Sequence, residues 1–206
     1  MRQLSADELA AALPRDGTLP GYELVGPPRT SDGDKPQSVV GPAACRPLQD
    51  AFSAPASATA AAWVNLTPDT FVPPTESLTF SSYRPGGASA SLAALDKALT
   101  TCATYTLQGS YGGPVTVDVE RVELPDAPGD DALSFRTHWV LELDGSKSDT
   151  FRLTTAVRVG EATLTLASDI GAGSELPEAK KRALMPQLNL DLLKSQTDAL
   201  RAAQRR

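Results

Sequence analysis

Apolar and polar side chains alternate along much of the segment between residues 115 and 170. In its middle, from residue 133 to residue 143, the odd positions include Phe135 and Trp139, and the even positions include His138. Successive side chains of a β-strand point to opposite faces of the sheet. The alternation therefore predicts a strand with one apolar face and one polar face.

Residues 144–149 predict a connection, and the same alternation returns after it at residues 151–159 and, after a turn at Gly160–Glu161, at residues 162–170. Strands that pair antiparallel and rest one face on a core give this pattern. Helical periodicity surrounds the strands, and the last segment, from Pro177 to Gln204, predicts a long C-terminal helix that Pro186 kinks or divides. We therefore expect an α+β fold: a twisted antiparallel sheet of about five or six strands, with one face packed against several helices.

The N-terminal part of the chain differs in character from the rest. Ser5 and Glu8 are spaced as a capping box, which predicts a short first helix. Proline and glycine are so frequent from Arg15 to Pro42 that only short extended pieces fit there. We interpret residues 1–206 as a single α+β domain, with 1–41 as the N-terminal helix and lead-in and 42–206 as a disulfide-linked core of sheet and helices.

The sequence contains two cysteines, Cys45 and Cys102. Each lies on the apolar stripe of a predicted helix, so both sulfurs point toward the core, as a disulfide between two packed helices requires. Two unrelated buried thiols would give the same pattern, because free cysteine is among the most buried residue types. Neither cysteine has a Cys or His partner at zinc spacing, so we predict no metal site.

Charge and hydropathy narrow the classes of function. The net charge is −6 and the pI about 4.8, which argues against nucleic acid as a partner. No apolar run approaches the roughly 20 residues that cross a bilayer, and the first residues do not resemble a signal peptide. The chain is therefore expected to be cytosolic, or to be a mature or truncated form that lacks its export segment. A Cys45–Cys102 disulfide would favour an oxidising compartment.

No motif predicts catalysis. His138 is the only histidine, and the sequence offers no nucleophile in a recognisable catalytic context to accompany it. The glycines near Tyr111 meet neither the phosphate-loop nor the dinucleotide spacing. We expect a protein that is not an enzyme and has no cofactor.

A cluster of cations is the best candidate for a binding site. From the parity of each strand, we expect Arg136, Arg152 and Arg158 to share the polar face of the sheet with His138. Grouped arginines bind carboxylate or phosphate bidentately. The same arginines could instead form cross-strand pairs with acidic residues, namely Asp118, Glu120, Glu142 and Glu161.

The order of these features resembles a known family. A Leu19-Pro20-Gly21 step precedes a helix with Cys45, two strands, a helix ending in Cys102, a strand meander with Trp139 and a long C-terminal helix. This layout is similar to the extracytoplasmic sensor domain of the mycobacterial PknH-type receptor kinases and to related actinobacterial lipoproteins. Thirteen Arg against six Lys suits a high-GC actinobacterium.

The resemblance implies an exported sensor or ligand-binding protein of the cell envelope, held to the membrane by an anchor outside this sequence. Its partner would be a small molecule, a lipid or another envelope component, bound in a cleft without catalytic residues. The alternative is a structural or protein-interaction module of the envelope with no small ligand. The kinase domains have two disulfides, whereas two cysteines allow only one.

Overall fold

The computed structural model of the chain describes residues 2–31, 42–51, 55, 57–70, 74–108, 114–143 and 145–206. A turn of 3-10 helix, Ala43–Cys45, leads into α2. In chain order the elements are α1 (Ala6–Ala12), β1 (Tyr22–Leu24), β2 (Arg29–Ser31), α2 (Arg46–Asp50), β3 (Ala60–Pro68), β4 (Thr75–Ser82), α3 (Gly87–Thr101), β5 (Thr104–Gln108), β6 (Pro114–Val122), β7 (Asp131–Leu143), β8 (Ser146–Val159), β9 (Ala162–Gly173), α4 (Glu178–Leu184) and α5 (Leu190–Gln204).

The strands form a single antiparallel sheet in the order β1-β3-β4-β9-β8-β7-β6-β5, and β2 also pairs with β3. The α+β class and the antiparallel sheet are confirmed, but the sheet has nine strands instead of five or six. β1 and β2 have three residues each and β5 has five. Strands of that length are too short to give a clear alternation of apolar and polar residues.

Helices cover both faces of the sheet, which corrects the prediction that they cover one face. On one face, α1 and α5 pack on a core that includes Val157, Leu164 and Phe80. We call this the α5 face. On the other, α2 and α3 pack on Phe135 and Ala156, and we call it the α3 face. Val157 and Ala156 are neighbours in β8, so consecutive side chains of one strand enter the two cores.

The register between β7 and β8 explains why the sheet is apolar on both faces. Leu133 lies opposite Ala156 and Phe135 opposite Thr154, so the odd positions of β7 share the α3 face with the even positions of β8. The odd positions of β8, such as Val157, therefore point to the α5 face. The apolar sides of these two strands are on opposite faces, and each needs its own cover of helices.

The predicted N-terminal helix and its cap are confirmed. The Ser5 side chain accepts a hydrogen bond from the Glu8 backbone N–H, and the Glu8 side chain accepts one from the Ser5 backbone N–H. At the other end of the chain, Pro186 separates α4 from α5 rather than kinking one long helix. The Asn189 side chain then caps α5 by accepting a hydrogen bond from the Leu192 N–H.

Cys45 and Cys102 form a disulfide, with Cα atoms 5.8 Å apart. It connects the start of α2 to the end of α3, as the helical stripes in the sequence predicted. Both cysteines are buried in the core of the α3 face. Among the helices in the described ranges, none is both long enough and apolar enough to cross a membrane. The single-domain interpretation of residues 1–206 stays a prediction.

Candidate functional site

The structure divides the four predicted site residues between the two faces of the sheet. Arg136 lies opposite Leu153 and His138 opposite Phe151, so these two point to the α5 face. Arg152 lies opposite Thr137, and Arg158 opposite Asp131, so both point to the α3 face. The expectation that all four share one polar face is wrong. Ligand binding by the four residues stays a prediction.

Arg152 contacts a carboxylate and an aromatic ring on the α3 face. Its Nε and one terminal nitrogen bind the two carboxylate oxygens of Asp169 in a bidentate pair, with Nη2 to Oδ2 at 2.7 Å. The guanidinium also lies over the ring of Trp139, 5.4 Å from its centroid. Planar arginine suits both contacts, so Arg152 has a structural role in this position.

Arg158 pairs with an acidic turn residue that precedes β7. Its Nη1 is 3.5 Å from Oδ2 of Asp130, and the same oxygen accepts a hydrogen bond from the Gly160 N–H at 2.7 Å. Asp130 thus joins Arg158 to the β8–β9 turn. Both arginines form ion pairs, as in the alternative drawn from the sequence. Arg152 pairs across strands with Asp169 and Arg158 pairs with Asp130 in a turn, and neither aspartate is among the acidic residues expected.

His138 is held between two carboxylates on the α5 face. Its Nε2 is 2.6 Å from Oδ1 of Asp149, and its Nδ1 is 3.6 Å from Oδ2 of Asp118. The imidazole stacks on Phe151 with ring centroids 4.7 Å apart. These contacts fix the ring from both nitrogens and from one side, so its orientation is set by β6 and β8 together.

Asp149 connects this histidine to helix α4. Its other oxygen, Oδ2, is 2.9 Å from Nζ of Lys181, which also contacts Glu178 at 3.2 Å. The Asp149 and Lys181 side chains are only 7% and 9% exposed. Burial acts to raise the pKa of Asp149, but hydrogen bonds from Lys181 and His138 outweigh it and lower that pKa to about 2. The Asp149 carboxylate in turn raises the pKa of Lys181.

Arg136 forms a long ion pair on this face with Glu120, one of the cross-strand partners expected from the sequence. Its Nη1 is 3.5 Å from Oε2 of Glu120, whose side chain is 73% exposed. Its Nε is buried and has no hydrogen-bond partner. An unpaired buried donor on a charged group is costly, so this nitrogen can gain from an added acceptor.

These side chains line a cavity of about 270 Å³ between the sheet and α4. Phe151 and Met185 supply apolar surface. The described charged residues of the lining are the carboxylates Asp118, Glu120, Asp149 and Glu178 and the cations Arg136 and Lys181, beside His138. The four carboxylates outnumber the two permanent cations, so the lining carries a net negative charge.

Sequence reasoning missed Asp149 and Lys181. Asp149 was placed in a connection of residues 144–149, whereas β8 begins at Ser146. Residues 146–150 are all polar, so no alternation of apolar and polar side chains marks this first part of β8. Lys181 carried no such signal either, because its burial depends on how α4 packs against the sheet.

The described part of the chain contains no group of three or more histidine, cysteine, aspartate and glutamate side chains arranged to hold a metal ion. A second cavity, of about 280 Å³, lies on the α3 face between α2, α3 and the sheet, and its lining is mostly apolar, with Leu92, Leu95 and Ala156.

The fold matches a solved structure over the full length of the chain. The extracellular domain of PknH from Mycobacterium tuberculosis superposes with a TM-score of 0.58, covering 100% of this chain and 99% of that one at 11% identity. The two proteins share a fold. The resemblance to PknH-type sensor domains that the layout of the sequence suggested is thereby confirmed at the level of fold.

An uncharacterised protein from Mycobacterium smegmatis aligns over 97% of this chain and 93% of its own at 13% identity, with a TM-score of 0.35. No family model matches the chain, and no curated protein sequence matches it.

Proposed function

We propose that the chain is an extracytoplasmic, membrane-anchored sensor-type module of the bacterial cell envelope, without catalytic activity, that binds a small ligand in the cavity beneath α4. Two observations support the location. Its fold is that of an extracellular domain. It also has a disulfide, and disulfides persist in oxidising compartments.

The observation that supports ligand binding most directly is the buried, unpaired Nε of Arg136, a residue that lines that cavity. A carboxylate or phosphate group would satisfy this donor and accept a second bond from the same guanidinium. The exposed carboxylates of Asp118 and Glu178 lie on the same cavity and suit an ammonium group. A ligand with both charges, such as an amino acid or a short peptide, fits this distribution.

Titration calorimetry with a panel of free amino acids and dipeptides tests the proposal. For the member that binds, Arg136→Gln should weaken the affinity at least about tenfold, because a hydrogen bond to a charged group contributes roughly 1.5–3 kcal/mol. Arg152→Gln is the matched control. It lies on the α3 face, so it should leave the affinity unchanged and lower the melting temperature by breaking the Asp169 pair.

Equal affinity of the wild type and Arg136→Gln would contradict this site. If no member of the panel binds, the zwitterion is the wrong ligand class, and a module that acts through protein contacts becomes the better description.

A further inference from the structure

Strand β5 forms one edge of the sheet, with β6 as its neighbour. The Val119 N–H donates a hydrogen bond to the Ala103 carbonyl at 2.9 Å, immediately before β5 begins. Hydrogen-bonded and non-hydrogen-bonded pairs alternate along an antiparallel ladder. Tyr105 and Leu107 therefore direct their backbone groups toward β6, whereas Thr104 and Thr106 direct theirs away from the sheet.

The sequence of β5 lacks the features that usually block an edge. Exposed edges are protected by charges, by proline or by very short strands. β5 has neither charge nor proline in its five residues, Thr-Tyr-Thr-Leu-Gln. At the opposite side of the sheet, β1 and β2 have three residues each and contain Glu23 and Arg29. Among the strands that the structure describes, β5 is thus the edge best suited to pair with a further strand.

We propose that β5 pairs antiparallel with β5 of a second copy of the chain, with Thr106 facing its counterpart across a two-fold axis. In this register Thr104 faces residue 108, so every outward-directed residue meets another, and each such pair can exchange two backbone hydrogen bonds. On the α3 face, Tyr105 lies opposite Leu107 of the second copy; Tyr105 is already buried in the core of its own chain, so the pairing rests on the backbone hydrogen bonds.

Charge and symmetry both favour this partner. The chain carries a net charge of −6, but the contacting strand is neutral, so no like charges meet within it. Each chain has one β5, so a two-fold contact closes after two copies and does not extend into a fibre. Five residues a side make a small interface, for which we expect association in the micromolar range.

Sedimentation equilibrium of the full chain, from low micromolar to several hundred micromolar, tests the pairing. The average mass should rise from 21.6 kDa toward twice that value. Thr106→Pro should abolish the rise, because proline removes the central outward N–H without removing a bond to β6. Thr106→Val keeps that N–H and should dimerise like the wild type. A wild type that stays monomeric throughout, or a folded Thr106→Pro that still dimerises, would overturn the proposal.

Hydrogen exchange adds a readout at single residues and does not depend on the proline variant folding. The amides of Thr104 and Thr106 should gain protection as concentration rises, whereas those of Tyr105 and Leu107 should be protected throughout. Thr106→Lys places two like charges at the axis and should weaken dimerisation at least tenfold. Unchanged dimerisation of Thr106→Lys, or no change in exchange at Thr106, would also overturn the pairing.

Discussion

At the scale of single residues, Asp149 is the group on which the candidate site depends. Its carboxylate contacts His138 through one oxygen and Lys181 through the other, so it joins β7 to α4. Both Asp149 and Lys181 are buried, and removing the Asp149 carboxylate leaves Lys181 with the exposed Glu178 as its remaining partner. We expect Asp149→Asn to lower the free energy of unfolding at neutral pH by roughly 1.5–3 kcal/mol, the contribution of a hydrogen bond to a charged group, measured by urea denaturation.

The pKa of Asp149 gives this residue a distinct pH dependence. In the folded chain that pKa is about 2, below the ordinary value of 3.8. The stability that Asp149 contributes is therefore complete above about pH 4 and is lost as the pH falls toward 2. Asp149→Asn should flatten the fall in stability between these two pH values. Lys181→Met removes the other partner of the ion pair and serves as its control. The double variant of Asp149→Asn and Lys181→Met should lose less free energy of unfolding than the two single variants combined.

A wild-type curve and an Asp149→Asn curve of equal slope below pH 4 would show that other carboxylates govern acid unfolding. The site at this scale was only partly predictable. The polar alternation identified Arg136 and His138, but the burial of Lys181 depends on the packing of α4, which has no signature in the strand pattern.

At the scale of elements, the connection between β7 and β8 decided where the arginines lie. β7 ends at Leu143 and β8 begins at Ser146. In an antiparallel hairpin, an even number of connecting residues places odd positions of one strand opposite even positions of the next. Leu143 lies opposite Ser146, and the same parity would follow from the six-residue connection that the sequence suggested.

The separation of Arg136 from Arg152 was therefore available from the sequence once the parity of the loop was counted. β9 follows β8 after two connecting residues, so the same parity rule places Val157 and Ala162 on one face of the sheet. The sequence analysis predicted this continuation of the alternation from β8 into β9 correctly. The apolar sides of β7 and β8 therefore lie on opposite faces, whereas those of β8 and β9 lie on the same face. Each face of the sheet thus has an apolar region that helices must cover.

The disulfide is the second element-scale feature with a measurable consequence. It joins α2 to α3 across a sequence separation of 57 residues. A loop of that length corresponds to a stabilisation of about 4 kcal/mol in the chain-entropy model. We expect the double variant Cys45→Ala and Cys102→Ala to lose stability of that order in chemical denaturation.

Reduction of the wild type with dithiothreitol should give the same loss and leave the double variant unchanged. Mapping of nonreduced peptides from protein made in an oxidising compartment should yield a linked Cys45–Cys102 peptide. Two free thiols in that protein would contradict both the bond and the support it gives to an extracytoplasmic location.

At the scale of the whole molecule, the sequence was most informative about class and layout. Long strands such as β8 and β9 were predicted because apolar and polar side chains alternate over much of residues 151–159 and 162–170. β5 was missed because five neutral residues between a helix and a glycine-rich segment carry little periodic signal. The pairing of β4 with β9 depends on contacts between distant segments, which local patterns do not encode.

The sheet also bears on the single-domain interpretation, which unfolding can test. β8 supplies Val157 to the core of the α5 face and Ala156 to that of the α3 face, so neither core can lose this strand alone. We expect one cooperative transition in urea at a concentration where the chain is monomeric. Trp63 lies in β3 and Trp139 in β7, toward different ends of the strand order.

The variants Trp63→Phe and Trp139→Phe each leave one reporter. Within either variant, tryptophan fluorescence and far-UV circular dichroism should give coincident midpoints. Probes that agree in one variant and diverge in the other would show that the two ends of the sheet unfold separately, and residues 1–206 would then comprise more than one folding unit.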